Sequence, residues 1–329
     1  MTTTLIATHS GSFHADDVFG VAVLATLFPD HRILRTRDPQ AIAPADFVVD
    51  VGGVWEAERG RFDHHQRGFG GTRMRIEADG SSAPAEGYAS AGLVWRAFGL
   101  AYVRRFAAAM ECTLDEATLS QVAEDVDASL VRYLDLVDTG AQEVAPGVFG
   151  LSSQIALLNS TWLEEAALDR AGRARLQLER FEEAMALAGR LLDRFLLRRI
   201  GQALAADKVR ASERWFDGRV LHLADGGLPW TKVVIEEMPQ VLLVVYPEES
   251  SGQHQIRTVP VAAGSFDSRM DLPAAWAGLR EGQLAAAIGV PDAVFCHSNL
   301  FIAGARSLEG ARRMVEMALD SASDEGKMA

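Results

Sequence analysis

Leu5-Ile-Ala-Thr-His9-Ser-Gly-Ser-Phe-His14-Ala-Asp-Asp17 decides how this chain folds. Leu5–Thr8 suits a short buried strand, and Asp17–Phe28 is apolar nearly all round, as a helix enclosed by a core must be. The link between them gathers two imidazoles and two carboxylates where the strand ends. A second apolar run, Phe47–Val51, holds Asp50 near its end, and Arg61–His64 offers a fourth short strand running into Asp63-His64-His65. Arg32–Thr36 is one more strand, with Asp38-Pro39 and Ala43-Pro44 as turns. Strands alternating with helical stretches predict an α/β chain: a mainly parallel sheet with helices on both faces. Such sheets collect ligands at the carboxyl ends of their strands. His9, Asp50 and the His64 pair all fall there.

Outward from this core, Gln66–Gly87 is rich in Gly, Ser and Arg and reads as a mobile loop bearing Arg67, Arg73 and Arg75. Helices are predicted through Ala89–Met110 and Asp115–Val137, and again from Trp162 to about Ile200. In the last, Leu178, Phe181, Met185, Ala188, Leu192 and Phe195 step by threes and fours, an apolar stripe for the core or for a second subunit. A homodimer is therefore open. Glu179, Glu182 and Glu183 interrupt the arginines, which argues against a basic helix for nucleic acid. After about Asp207 the texture changes. Val220–Ala224, Val241–Tyr246, Gln255–Val259 and Val294–His297 read as strands, and Leu272–Gly289 and Ser307–Ser321 as helices. The expected organisation is a catalytic α/β domain over 1–206 and a smaller α+β substrate-binding domain over 207–329.

A chain of 329 residues, 48% hydrophobic and 23% charged, is an ordinary folded composition. Its formal net charge of −13 opposes broad, sequence-independent binding of long nucleic acid, which needs Lys and Arg against phosphates. A small or short anionic substrate gripped locally stays open. No run is long and apolar enough for a membrane helix, and Met-Thr-Thr-Thr lacks the basic start of a signal peptide. Cys112 and Cys296 supply neither a disulfide framework nor a thiolate metal site. A reducing cytoplasm is the expected compartment.

Asp16 and Asp17 alone would read as helix-start acids, but His9 and His14 beside them could share one ion, with Asp16 adding an oxygen. Asp50 alone would be a turn former; at the end of a buried strand its charge asks for a cation. In Asp63-His64-His65 the two imidazoles point opposite ways along extended backbone, so one can bind metal while the other faces substrate. Mixed oxygen and imidazole donors without cysteine suit Mn²⁺, Mg²⁺, Fe or Co better than structural zinc. Asp135 and Asp138, at the end of a predicted helix, are two candidates to complete the shell. His31 and His222 read as surface or structural. His297 reads either as a buried structural histidine or as a phosphate contact.

Several stretches together resemble the DHH phosphoesterase superfamily of RecJ-like exonucleases, short-oligonucleotide phosphodiesterases and family II pyrophosphatases. Within it they are most similar to the melanocyte proliferating gene product family. The resemblance rests on Thr8–Asp17, Arg35-Thr-Arg-Asp-Pro39, Asp50-Val-Gly-Gly53, Arg61–Phe69, Ser90-Ala-Gly-Leu93, Leu158-Asn159 with Trp162, Pro229-Trp230 and Phe295–Gly304. It implies a two-ion site: His9 and His14 on one ion, Asp16 and His64 mainly on the other, Asp50 as bridge, and Asp138 from the fourth motif. There this chain has Asp138-Thr139-Gly140 where the family has Asp-Asn-Gly, and Ser160 where it has proline. Two Mn²⁺ ions roughly 3.5–4 Å apart would lower the pKa of a water that attacks phosphorus. Asp63 and His65 are the expected catalytic pair, His65 orienting or protonating the departing oxygen. Arg35, Arg37 and Arg67 are candidate phosphate clamps, and His297 with Gly304 corresponds to a substrate-holding segment. The function implied is a metal-dependent phosphodiesterase or 3′–5′ exonuclease on RNA or short oligonucleotides. The alternatives are a pyrophosphatase or nucleotide phosphohydrolase, and a metal-binding scaffold without turnover. Bacterial relatives often carry the label of protein hydrolase, but no protease-type His pair with Glu, nucleophile elbow or serine triad supports it.

Overall fold

The computed structural model describes residues 3–77, 79–142 and 150–328. The chain divides into two compact units, Met1–Ile200 and Gly201–Ala329. No helix among the described residues is long and apolar enough to cross a membrane.

The first unit begins β1 (Thr4–Thr8), α1 (Ala15–Leu27), β2 (His31–Arg35), α2 (Pro39–Ile42), β3 (Phe47–Val49), β4 (Trp55–Glu56) and β5 (Arg61–Phe62). The five strands form one sheet in the order β2-β1-β3-β5-β4. All neighbours are parallel except β4, which pairs antiparallel with β5 at the edge. The α/β expectation holds. Side chains alternate across the sheet, so each strand feeds two layers. Ala7 and Val48 meet Ile42 and Ala45, at and beyond the end of α2, on one face. Val49 faces α1 on the other, so closely that a Cβ on Gly20 would meet its Cγ1 at 3.0 Å. There Phe98 sets its ring edge-on to Phe28, Phe47 and Phe62.

Residues 66–87 depart from the expected loop. They hold a hairpin of β6 (Thr72–Ile76) and β7 (Ser82–Gly87). The arginines suggested solvent, but Arg73 is buried against carboxylates supplied from elsewhere in the chain. After α3 (Ser90–Ala109), the helix expected over Asp115–Val137 is α4 (Glu116–Val126), a π-helical stretch Asp127–Val131, and α5 (Arg132–Asp138). Short α6 (Leu151–Ala156) and α7 (Trp162–Glu165) lead to α8 (Arg170–Ala211), which runs eleven residues past the expected end. Its buried stripe is Phe181, Ala184, Ala188, Leu192, Leu196 and Ile200. The expected Met185 and Phe195 lie partly exposed, because a straight helix of 3.6 residues per turn drifts off a fixed seven-residue repeat.

The second unit holds β8 (Glu213–Trp215), β9 (Val220–His222), α9 (Thr231–Glu237), β10 (Leu243–Glu248), β11 (Gln253–Thr258), α10 (Glu281–Ile288), β12 (Ala293–Cys296), β13 (Ile302–Ala305) and α11 (Leu308–Met328). Its sheet runs β12-β13-β11-β10-β9-β8, and only β9 and β10 are parallel. Along β10, Leu243 and Val245 enter one apolar cluster with α11, while Val244 enters another with α9. The helix expected over Leu272–Gly289 is shorter, because Pro273 and Gly278 break its first half.

Candidate metal centre

Strand ends build the site. β1 runs straight into His9, whose ring is buried. β3 ends at Asp50, the next residue, which adopts φ +58°, a left-handed turn rare outside glycine. β5 leads into Asp63, His64 and His65. The start of α1 adds His14, Asp16 and Asp17, and the end of α5 adds Asp138.

Their atoms converge. His9 Nε2 lies 3.3 Å from Asp17 Oδ2 and 3.4 Å from Asp50 Oδ2. His64 Nε2 lies 3.3 Å from Asp50 Oδ1, 3.1 Å from Asp138 Oδ2 and 4.0 Å from Asp16 Oδ2. His14 Nδ1 stands 3.8 Å from Asp138 Oδ1. Three sets could each hold an ion, their donor atoms within 4.8 Å of one another: His9, His14 and Asp50; Asp50, His64 and His65; His14, Asp16 and Asp138. Asp50 and His14 each belong to two sets, so neighbouring positions would share donors. His65 thus stands among the metal-capable groups, and Asp16 groups with His14 and Asp138 while also lying 4.0 Å from His64 Nε2.

The electrostatics favour a cation. Asp16, Asp17 and Asp50 are buried within a few ångströms of one another's imidazole partners. Burial, then the neighbouring Asp50 and Asp138 carboxylates, push the Asp16 carboxyl well above its ordinary value. Burial opposes charge on His9 and His64, but the carboxylates outweigh it and raise them to about 9 and about 10. Burial also works against ionised Asp50, yet hydrogen bonds from His64 and His9 hold it well below the usual range. His9 Nε2, His64 Nε2 and Asp16 Oδ1 are buried without a well-formed hydrogen bond. Buried polar atoms left unpaired are costly, and each of the three belongs to a residue of a different ion-capable set, so bound cations would satisfy them. The donors present therefore fit a divalent cation.

A cavity of about 340 Å³ opens over the cluster, lined by His9, His14, Arg37, Asp50, Asp63 and His65 among others. Asp63 accepts the Gly53 N–H at 2.6 Å and the His65 N–H at 3.0 Å, and its Oδ1 lies 2.8 Å from His65 Nδ1. That contact leaves His65 Nε2 directed away from Asp63, on a ring 61% exposed. Arg37 reaches the Ser10 carbonyl with Nε and approaches His9 Nδ1 at 3.1 Å.

The other expected residues make different contacts. Arg35 donates to the Gly11 and Gln177 carbonyls and packs against the rings of Phe13 and Phe181, which meet each other edge-on. Arg67 is exposed and makes no hydrogen bond or ion pair among the described residues. Asp135 turns from the cluster to Arg73 (2.7 Å) and the Gly92 N–H (3.0 Å), leaving Asp138 as the α5 acid at the site. His297 and Gly304 lie in the second unit. His297 Nδ1 accepts the Asn299 N–H at 3.0 Å. Gly304 is pressed so close to Phe295 that a Cβ would come within 2.8 Å of its ring. His31 bonds the Phe28 carbonyl, and His222, in the second unit, stacks on Trp215.

Three contributors escaped sequence reasoning. Asp17 read as a helix cap, and it does accept the His14 N–H at 2.8 Å, yet its other oxygen faces His9. Ser90 donates its hydroxyl to Asp50 at 2.9 Å. Asn159 bonds both the N–H and the carbonyl of Phe13, pinning the loop that carries His14. Placement of the last two inside family-like stretches was their only signal.

Fold and centre together define an α/β protein with a buried carboxylate–imidazole cluster of the kind that can hold divalent cations. The chain belongs to the MYG1 exonuclease family, described as an uncharacterised protein family (UPF0160), which matches residues 5–319. A MYG1 exonuclease of Rattus norvegicus is 32% identical over 95% of this chain and 84% of its own. The Homo sapiens MYG1 exonuclease is 31% identical over 95% and 85%. A MYG1 protein of Caenorhabditis elegans is 31% identical over 97% and 96%.

Proposed function

We propose that this chain is a metal-dependent phosphodiesterase of the DHH type, a 3′–5′ exonuclease on RNA or short oligonucleotides. One observation carries the reading: four imidazoles and three carboxylates from five separate stretches converge around buried, unpaired donor atoms beneath an open cavity. The name exonuclease borne by the rat and human relatives agrees with it. The acidic net charge favours short substrates.

His9, His14, Asp16, Asp50, His64 and Asp138 would hold the ions, Mn²⁺ being well suited to such donors. Bound ions would supply charge stabilisation at the phosphoryl oxygens and a water of lowered pKa. Asp50 and Asp16 are fixed by Ser90, so the donor geometry is set before anything binds. Asp63 orients His65, whose free Nε2 is placed to give a proton to the departing oxygen. Arg37, at the cavity wall, presents a guanidinium to a non-bridging oxygen.

The test is incubation of purified protein and Mn²⁺ with labelled dinucleotides, long RNA and pyrophosphate. Stepwise release of mononucleotides from the 3′ end, lost in Asp50→Asn, is the expected result. Phosphate released from pyrophosphate alone would replace this reading with a pyrophosphatase. Mn²⁺ binding with no turnover of any phosphate ester or anhydride would make the chain a scaffold.

A further inference from the structure

A second cavity, of about 560 Å³, reaches Ser10, the neighbour of His9 in the chain. Ser10, Arg35 and Thr36 line one wall, and Asp169, Arg170, Arg173 and Gln177 of α8 and its approach line the other. The two cavities are neighbours by covalent connection: His9 lines one and Ser10 the other, as do Arg37 and Arg35 on one extended stretch. Three guanidiniums share the second cavity with one carboxylate, in a chain whose net charge is −13.

That carboxylate is engaged. Asp169 Oδ1 accepts the Gly172 N–H at 2.7 Å, capping α8. Arg35 is anchored at both Nη atoms and backed by two aromatic rings, while its buried Nε has no partner. Arg173 uses Nε on the Leu168 carbonyl, and no bond is formed by its Nη atoms among the described residues. Arg170 is exposed and makes no hydrogen bond or ion pair among the described residues. A rigid, aromatic-backed arginine beside Arg173, whose Nη atoms are unbonded among the described residues, and the exposed Arg170 is an arrangement for an anion with several oxygens. The volume falls within the range of pockets that take small organic ligands, not only a bare ion.

We infer that this cavity is a subsite for the nucleotide next to the scissile bond, with Arg35, Arg170 and Arg173 holding its terminal, uncleaved phosphate. The inference rests on the phosphodiesterase reading and narrows it to short oligonucleotides that carry a terminal phosphate. Long RNA would have no such end group to offer at each position.

The test separates binding from turnover. Fluorescein-labelled trinucleotides, with a 5′-phosphate, a 3′-phosphate or neither, are titrated by anisotropy into full-length protein with Ca²⁺ in place of Mn²⁺. One phosphorylated form should bind at least about tenfold tighter than the unphosphorylated one, as charge-assisted bonds to a phosphate imply. Arg170→Ala/Arg173→Ala should abolish that preference, and Arg175→Ala on the same helix should keep it. The salt dependence, a log–log slope, should become shallower by about 0.7 in the double variant, one neutralised phosphate on a single strand. An unchanged preference in the double variant overturns the subsite, even if cleavage proceeds. Arginine-dependent binding without cleavage of any diester keeps the subsite and overturns the phosphodiesterase reading. Equal binding of all three trinucleotides by the wild type overturns the subsite outright.

Discussion

Replacing Arg73 by Met should cost stability in a way that depends on pH. Arg73 holds Asp127 with two nitrogens (2.8 and 2.6 Å), Asp135 with a third (2.7 Å), and lies over the ring of Tyr88. Asp135 is fully buried, and burial pushes its carboxyl up to about 7 even with the guanidinium alongside. Methionine keeps most of the volume and removes the charge, so the folded-state pKa of Asp135 rises further. A carboxyl whose folded pKa lies above its unfolded value contributes stability at low pH and loses it as pH rises through the folded pKa. In the wild type that loss is complete slightly above pH 7; in Arg73→Met it continues. The gap between the two proteins should therefore open above pH 7 at up to about 1.4 kcal/mol per pH unit, roughly 2 kcal/mol by pH 8.5. It adds to a loss at all pH values of about 1–3 kcal/mol from the bonds to Asp127. In a unit of this size, each kcal/mol should lower the melting temperature by about 2–4 °C. Thermal and urea unfolding from pH 5.5 to 8.5 measures both parts, and Arg73→Met/Asp135→Asn should remove the slope. A deficit flat with pH, or a slope surviving in the double variant, would refute the argument.

Three more outcomes follow from the geometry. Without divalent ions, the stability contributed by protonated His9 and His64 is present below pH 6.5 and lost as pH rises towards about 9 and about 10; Mn²⁺ should therefore raise the melting temperature more at pH 8.5 than at pH 6.5. A constant shift would mean the ion does not compete with protons there. Ser90→Ala should weaken Mn²⁺ binding about 10–100-fold through loss of the bond that orients Asp50, measured by calorimetry; unchanged affinity would make Ser90 a packing residue only. Gly304→Ala should destabilise the second unit by about 1–3 kcal/mol, because its Cβ collides with the Phe295 ring. Phe295→Leu in the same chain should recover part of that loss.

Much of the architecture was legible because it is written in local pattern. Short runs bounded by turn signals mark β1, β2 and β3 as strands, and a helix apolar nearly all round marks α1 as enclosed. Side-chain chemistry then places His9 and Asp50 at strand ends, one shared ligand site. The hairpin Thr72–Ile76 with Ser82–Gly87 was not legible. Its charged residues imitate a loop, and nothing nearby in sequence shows that Arg73 is buried.

The sequence by itself determined which stretches become strands and helices and which donor types stand at their ends, since both depend on neighbours a few residues away. Only the tertiary structure turned Asp135 away to Arg73, added Asp17 to the cluster while it still caps α1, and bound Ser90 to Asp50 and Asn159 to Phe13. Those choices join residues up to 146 positions apart. A carboxylate three residues along a helix differs from its neighbour only in what faces it, and that is decided by packing.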